Sequence, residues 1–391
     1  MNAGEIRAVA SLAFVYALRM LGMFMVLPVL ALYAQGLPGG ATALQIGLAI
    51  GLYGLAQAAL QVPLGWLSDR VGRKPVIVAG MLLFALGSLI AGLSESIEGV
   101  LLGRCIQGLG AVSSAVSALL ADVTREQVRT TAMAVMGVGM GGAFILALVL
   151  GPVVAGLIGV DGIFLMTAVL ALSSIPLVLW WVPRAPVQPA QPGGMALAFA
   201  SPELLRLDAG IFLLHACMTA LFVALPFALT ETLALDSAAH WQIYLPVLLL
   251  SVLPVFPLIR WAERSGHAKP VFVAAVALLA VALLAAGALH DDAPGLVLAL
   301  LAYFVAFNYL EGALPSLISR QAPPQHKGAA LGVYASGQFL GGFTGGLLGG
   351  IALGLFGVGG ALAVAGLLPI IWLGFAIRLN PPAAAAHRPT H

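Results

Sequence analysis

Four ionisable residues stand inside long apolar stretches of this 391-residue chain, and their side chains bound the chemistry it can perform. Glu311 has Asn308 three residues before it and Pro315 four after, so the three occupy adjoining faces of one helix. A carboxyl where water is scarce can take up and release a proton, or it can hold a neighbouring helix by a hydrogen bond, and the residues alone leave both open. Arg104 stays charged at any physiological pH, which suits anion binding or control of a nearby acid more than proton carriage. Arg19 shares a face with Gly22, Met23 and Val26, where it either lines a cavity or snorkels toward water. His215 is of the residue type that titrates near neutral pH, and equally of a type that ties helices together. Met23, Gln107, Met140, Phe144, Met218, Phe222, Asn308, Tyr334 and Gln338 add soft, aromatic or amide surfaces that suit a cavity for varied small molecules, or ordinary helix packing.

The elements that position these residues follow from composition. Hydrophobic residues make up 61% of the chain and charged residues only 8%, against roughly 25% charged in a soluble domain. A helix needs about 20 apolar residues to cross a hydrocarbon core of about 30 Å, and the chain supplies such segments almost end to end. Continuous apolar runs indicate helices, since barrel strands alternate over about ten residues. The expected spans cover 8–34, 43–67, 75–93, 97–121, 131–156, 161–182, 207–230, 240–261, 269–289, 293–318, 328–351 and 356–378. The first is longer than a signal-peptide core and is read as a retained helix.

Basic residues sort to one side of this layout. Lys and Arg near helix ends are held on the cytoplasmic side. With the amino terminus inside, Arg7, Arg70, Arg73, Lys74, Arg125, Arg129, Arg184, Arg206, Arg260, Arg264, Lys269, Arg320, Lys327, Arg378 and Arg388 are all cytoplasmic. The opposite loops carry Glu95, Glu98, Asp161, Glu231, Asp236, Asp291 and Asp292. Both termini are therefore expected inside an inner membrane. A net charge of +2, with its cations dispersed, argues against nucleic-acid binding, and two distant cysteines, Cys105 and Cys217, suggest neither a disulfide framework nor a metal site.

The chain divides into an amino-terminal six-helix bundle at 1–182, a cytoplasmic linker at 183–206 rich in proline and glycine, a carboxy-terminal bundle at 207–379 and a tail at 380–391. Asp69-Arg70-Val71-Gly72-Arg73-Lys74-Pro75 after the second span returns, with one inserted residue, as Glu263-Arg264-Ser265-Gly266-His267-Ala268-Lys269-Pro270 after the eighth. The halves read as parallel copies able to rock about a central site.

Gly65-x-Leu67-x-Asp69-Arg70-x-Gly72-Arg73-Lys74-Pro75 resembles in full the signature loop of the major facilitator superfamily. The resemblance implies twelve transmembrane helices in two bundles related by a pseudo-two-fold repeat, and a conformational gate at Gly65, Asp69, Arg70, Gly72, Arg73 and Lys74. Arg104-x-x-Gln107-Gly108-x-Gly110-Ala111 is similar to a pattern of the drug-export branch, with Arg104, Gln107, Gly108 and Ala111 on one face, and it implies a proton-coupling role for Arg104. Gly142 and Gly151-Pro152-x-x-Ala155-Gly156 resemble the antiporter motif that bends the fifth span, with Ala147 and Ala155 in place of its usual glycines. Leu18 to Pro28, Asn308 to Glu311 and Leu314-Pro315-Ser316 look like the YajR-type bacterial efflux proteins, here without the soluble carboxy-terminal domain some of them carry.

Neither a phosphate-binding loop nor a hydrolase or metalloprotease motif is present, so no enzyme activity and no cofactor are expected and the energy source is a proton gradient. The expectation is a monomeric proton-coupled exporter of small lipophilic molecules, with Glu311, Arg104 and His215 as coupling candidates. Its rivals are a proton-coupled uptake symporter for a metabolite and a non-transporting membrane sensor.

Overall fold

The computed structural model describes residues 1–183, 201–323 and 327–379. Residues 184–200 of the expected linker, with Arg184, and the tail 380–391, with Arg388, lie outside the described residues, as does the side chain of Lys327.

Every secondary-structure element among the described residues is helical. In chain order the elements are α1 (Ala3–Met25), α2 (Leu30–Gly36), α3 (Ala43–Val71), α4 (Arg73–Gly92), α5 (Ile97–Leu109), α6 (Ser113–Asp122) and α7 (Glu126–Pro176), which ends in a π-turn at Leu177–Trp181. The second half holds α8 (Pro202–Leu233), α9 (Trp241–Val252), α10 (Val255–Arg264), α11 (Ala268–Ala288), α12 (Ala293–Gln321) and α13 (Lys327–Ala376). Among the described residues ten stretches are long and apolar enough to cross a membrane, and two of these, of 56 and 48 residues, are each two helices joined across a kink at non-helical Gly159 and Gly357. The architecture is therefore twelve crossings in two bundles of six.

Helix starts are capped by their own sequence. Asn2 with Glu5, and Thr42 with Gln45, form reciprocal capping boxes, while Ser96, Ser201 and Asp292 accept from the third residue onward. Each cap satisfies an amide that hydrocarbon would leave without a partner. Ser201 with Pro202 starts α8 five residues ahead of the expected boundary at 207.

Several expected spans prove to be broken helices. The first divides at residues 26–29, where Pro28 cannot donate an amide hydrogen bond. The eighth divides at Leu253-Pro254 for the same reason. The fourth divides after Leu109, so Ala111 does not continue the Arg104 face as expected. Assigned helix continues through Gly151, Pro152 and Gly156, and the non-helical residue of that crossing pair is Gly159. Gly357 likewise falls inside the stretch expected to be the twelfth helix.

The repeat is visible in the backbone. Gly72 and Gly266, aligned in the two basic loops, have φ of 97° and 73°, and Gly159 and Gly357, at the opposite end of each half, have 77° and 68°. Side chains with a Cβ rarely adopt these angles. The halves meet where α3 crosses α13. A Cβ at Gly47 would strike the Gly346 carbonyl, and one at Gly51 would come within 2.9 Å of the Phe343 carbonyl. This crossing lies toward the end bearing the acidic loops, which is closed in this conformation.

The built Cβ of Gly354 lies 3.4 Å from the Cβ of Ala43 across this crossing, close to disulfide geometry of roughly 3.5–4.5 Å. In a chain with Cys105 and Cys217 replaced by alanine, Ala43→Cys with Gly354→Cys is expected to cross-link under mild oxidation, read as loss of both free thiols. Persistent labelling of both thiols would contradict the closed crossing.

Candidate functional site

Three polar clusters interrupt the apolar interior. The first caps the basic end. Arg73 forms an ion pair with Asp69, donates from Nε to Asp122 at 3.0 Å and from a terminal nitrogen to Ser68 Oγ at 2.7 Å. Ser68 in turn donates to the Gly65 carbonyl at 2.6 Å. Lys74 Nζ donates to the carbonyls of Leu179 and Val182 at 2.9 and 2.6 Å, fixing the end of the sixth crossing. The Arg70 guanidinium lies 3.7 Å from the centre of the Trp66 ring. A Cβ on Gly65 would come within 3.1 Å of Ser114 Oγ, so glycine allows α3 to approach α6. Asp122 escaped the sequence reading, although its signal was there: an acid ending the fourth span on the side where the loops are basic.

The second cluster fills the interior of the first half. Arg19 is 1% exposed and donates to Tyr53 Oη at 2.7 Å, Gln57 Oε1 at 2.8 Å, the Gly110 carbonyl at 3.2 Å and Ser113 Oγ at 3.3 Å. Gly110 is where the fourth crossing loses its helix, so Arg19 supplies a donor to a carbonyl at the break. Arg104 donates to the Ala49 carbonyl at 3.0 Å, to Ile50 at 3.4 Å and to Gln107 Oε1 at 2.7 Å, and Gln107 donates to Ser88. Tyr53 binds Arg19 through its hydroxyl while Arg104 sits 5.0 Å from its ring centre. Neither guanidinium has a carboxylate partner among the described residues. Arg19 therefore neither snorkels nor lines an open cavity here. Gln107 and Phe222, both 0% exposed, are likewise enclosed by protein in this conformation.

The third cluster lies in the second half. His215 on α8 directs Nδ1 at the Ile211 carbonyl, 3.3 Å away, and Nε2 at the Gln338 amide of α13, 2.8 Å away. With Nδ1 donating, Nε2 accepts from the amide, as in a neutral imidazole. Glu311 Oε2 lies 3.9 Å from the same Nε2 and, though buried, has no hydrogen-bond partner. Asn308, one turn away on α12, donates to Ser251 at 2.9 Å. Tyr334 Oη and Asp208 Oδ1 are also buried without partners, and Tyr334 lies within electrostatic range of both Asp208 and Glu311. Asp208 is a second acid that sequence reading missed. The span was expected to begin at 207, making 208 a helix end; α8 instead begins at Pro202 and carries Asp208 into the bundle two turns below His215.

Between the halves, Phe144 of α7 packs edge-on against Phe24 at 4.9 Å and lies 5.9 Å from Phe307 of α12, which is itself 6.1 Å from His215. Met140, Asn308 and Gln338 are partly exposed near this contact, whereas Met23, Met218 and Tyr334 are buried in the cores beside it. The expected candidates thus separate into a cation network in one half, an acid and imidazole pair in the other, and an aromatic contact joining them.

Twelve apolar crossings in two like bundles, with ionisable groups enclosed near the contact between them, define a multi-pass membrane transporter. The chain belongs to the Major Facilitator Superfamily, whose model matches residues 12–253 and 207–391. It is 45% identical over 388 residues to the inner membrane transport protein YajR of Escherichia coli (strain K12), covering 98% of this chain and 85% of that protein. Multidrug resistance protein MdtH of Aeromonas hydrophila is 26% identical over 333 residues, 83% of this chain and 82% of that one. A bacterial homolog of the human lysosomal transporter Spinster, solved inward-facing and occupied, shares the fold with a TM-score of 0.78 at 14% identity, covering 97% and 98% of the two chains. These relatives are transporters, not enzymes.

Tyr53→Phe removes the acceptor of the shortest Arg19 bond and leaves a buried cationic donor short of a partner. The expected cost is about 1–3 kcal/mol, read as a lower apparent midpoint of thermal unfolding in detergent. An unchanged midpoint would show that Tyr53 does not hold Arg19.

Proposed function

We propose that the chain is a proton-driven exporter of small lipophilic molecules that works by alternating access, with the Glu311 and His215 pair as its proton site. The observation carrying this reading is Glu311 Oε2, an enclosed carboxyl oxygen without a hydrogen-bond partner, 3.9 Å from His215 Nε2 on a half-buried side chain one turn from the aromatic contact between the halves. An ionised carboxylate inside a membrane protein is expensive to leave unpaired. A proton on either partner changes that balance: on His215 it creates an ion pair, and on Glu311 it removes the charge. Each protonation state therefore favours a different packing of α8, α12 and α13, the packing that must change when the halves rock. Export of varied cargo is favoured by the apolar character of the contact between the halves at Phe144 and Phe307, and by the likeness to a protein named for multidrug resistance.

Arg104 acts in this reading as a fixed positive charge that biases the second half's acids, since its hydrogen bonds go to carbonyls and an amide. The basic end is cytoplasmic, with both termini inside an inner membrane, because short loops rich in Lys and Arg stay on that side. The cluster of Asp69, Arg73 and Asp122 acts as the gate on the cytoplasmic side, and the two bundles joined by the linker work as one monomer. A proton gradient is the energy source, without a cofactor.

The reading is tested in proteoliposomes loaded with a lipophilic cation. Glu311→Gln is expected to keep counterflow, which needs only alternating access, and to lose at least about tenfold of gradient-driven accumulation, equivalent to about 1.4 kcal/mol of coupling. Uphill flux equal to that of the parent chain would remove Glu311 from the coupling step.

A further inference from the structure

The second copy of the basic loop is not wired like the first. In the first, Arg70 is engaged by the Trp66 ring and Arg73 by Asp69 and Asp122, so both cations are satisfied within the protein. In the second, Arg264 occupies the position of Arg70, but the nearby Trp261 ring is stacked on His267, with centroids 5.5 Å apart and planes 15° from parallel. The loop's acid, Glu263, pairs with Arg320 at 3.4 Å. Arg260 and Arg264 are both exposed and have no hydrogen bond, ion pair or ring contact among the described residues.

These two arginines line one cavity. Pro257, Arg260, Trp261, Arg264 and Ser265 surround a volume of about 470 Å³ that is open on one side. Their spacing puts them on one face of α10, and Val255 and Ala262, the buried residues of that helix, occupy the opposite face. Arginines at i and i+4 are neighbours about 5–6 Å apart at Cβ, a separation that a single phosphodiester can bridge. Farther from the basic end along the chain, Phe256, Leu253 and Leu250 are 69%, 68% and 52% exposed. Two free cations with an aromatic wall stand at the head of an apolar track, at the level where a membrane helix leaves hydrocarbon.

We propose that this cavity is a binding site for one anionic phospholipid, its phosphate held between Arg260 and Arg264 and its acyl chains lying along Leu250, Leu253 and Phe256. Arginine forks match phosphate oxygens, and the anionic leaflet supplies such headgroups next to cytoplasmic basic residues. The aligned loop of the first half, with its cations already engaged, offers no equivalent. The site depends on the chain spanning a bilayer and is independent of which cargo is carried or how it is coupled.

The full chain, purified in a zwitterionic detergent, is titrated with phosphatidylglycerol or phosphatidylcholine, and bound lipid is counted by native mass spectrometry. One phosphatidylglycerol is expected to be retained in preference to phosphatidylcholine. The double variant Arg260→Gln with Arg264→Gln is expected to weaken that retention about 25-fold, taking roughly fivefold for each arginine at an anionic surface. Arg129→Gln, an exposed arginine at the same end of the other half, serves as the control and is expected to change nothing. Both arginines are exposed, so the double variant is expected to unfold at the parent's temperature; if it does not, Trp261→Leu, which removes only the aromatic wall, must lower retention in its place. Equal retention of the two lipids, or full retention by these variants, overturns the proposal. Displacement by excess inorganic phosphate as effective as by a short-chain phosphatidylglycerol would also overturn it, because the site would then be one for soluble anions.

Discussion

Hydrocarbon offers no partner to a polar atom, and most of the architecture follows from where each such atom finds one inside the protein. Arg19 shows the constraint at work. The fourth crossing breaks after Leu109, and the guanidinium from α1 donates to the Gly110 carbonyl there while its other donors go to Tyr53, Gln57 and Ser113. One buried cation thus joins α1, α3 and the two segments of the fourth crossing. An uncompensated charge in that position would be costly, so the broken helix and the arginine require each other. Capping side chains at the starts of α1, α3, α5, α8 and α12 likewise supply acceptors to free amides at the helix ends.

The two halves resolve the constraint with opposite charge. The first encloses Arg19 and Arg104, whose guanidinium nitrogens donate to carbonyls, side-chain amides and hydroxyls, although Arg19 Nε has no partner among the described residues. The second encloses Asp208, Glu311 and His215, of which the two acids each leave an oxygen without a partner. A satisfied network holds one packing, whereas an unsatisfied group gains when the packing or its protonation changes. The asymmetry therefore leaves the acids of the second half without full hydrogen bonding among the described residues. The Phe144 to Phe307 contact joins the two halves near these groups.

Closure at the acid-rich end is achieved with little side chain at all. Gly47 and Gly51 on α3 lie against the backbone of α13 around Phe343, Gly346 and Gly350, which brings helix axes close through van der Waals contact. Such a crossing has no ion pair to break when it separates. The basic end of the first half is built differently, with Arg73 holding Asp69 and Asp122 and Lys74 holding two carbonyls at the end of the sixth crossing.

The sequence by itself determined the membrane setting, the count of crossings, the doubling of the halves and the family, because apolar length, cation placement and the loop around Gly72 are local properties that need no partner to be read. It also marked Glu311, His215 and Arg104 as groups out of place in hydrocarbon. Tertiary structure decided what those groups meet: that Arg19 serves a helix break, that Gln338 of α13 reaches His215, and that Asp208 lies within the bundle instead of at its edge. It decided too that Gln107 and Phe222 are packed away from any open space, and that Arg260 and Arg264 are left free while their counterparts in the first loop are engaged. Hydrogen bonds and ion pairs between residues 38 to 123 positions apart depend on how the helices cross, and the apolar periodicity of each helix, weak where both faces are hydrophobic, carries little information about its neighbours.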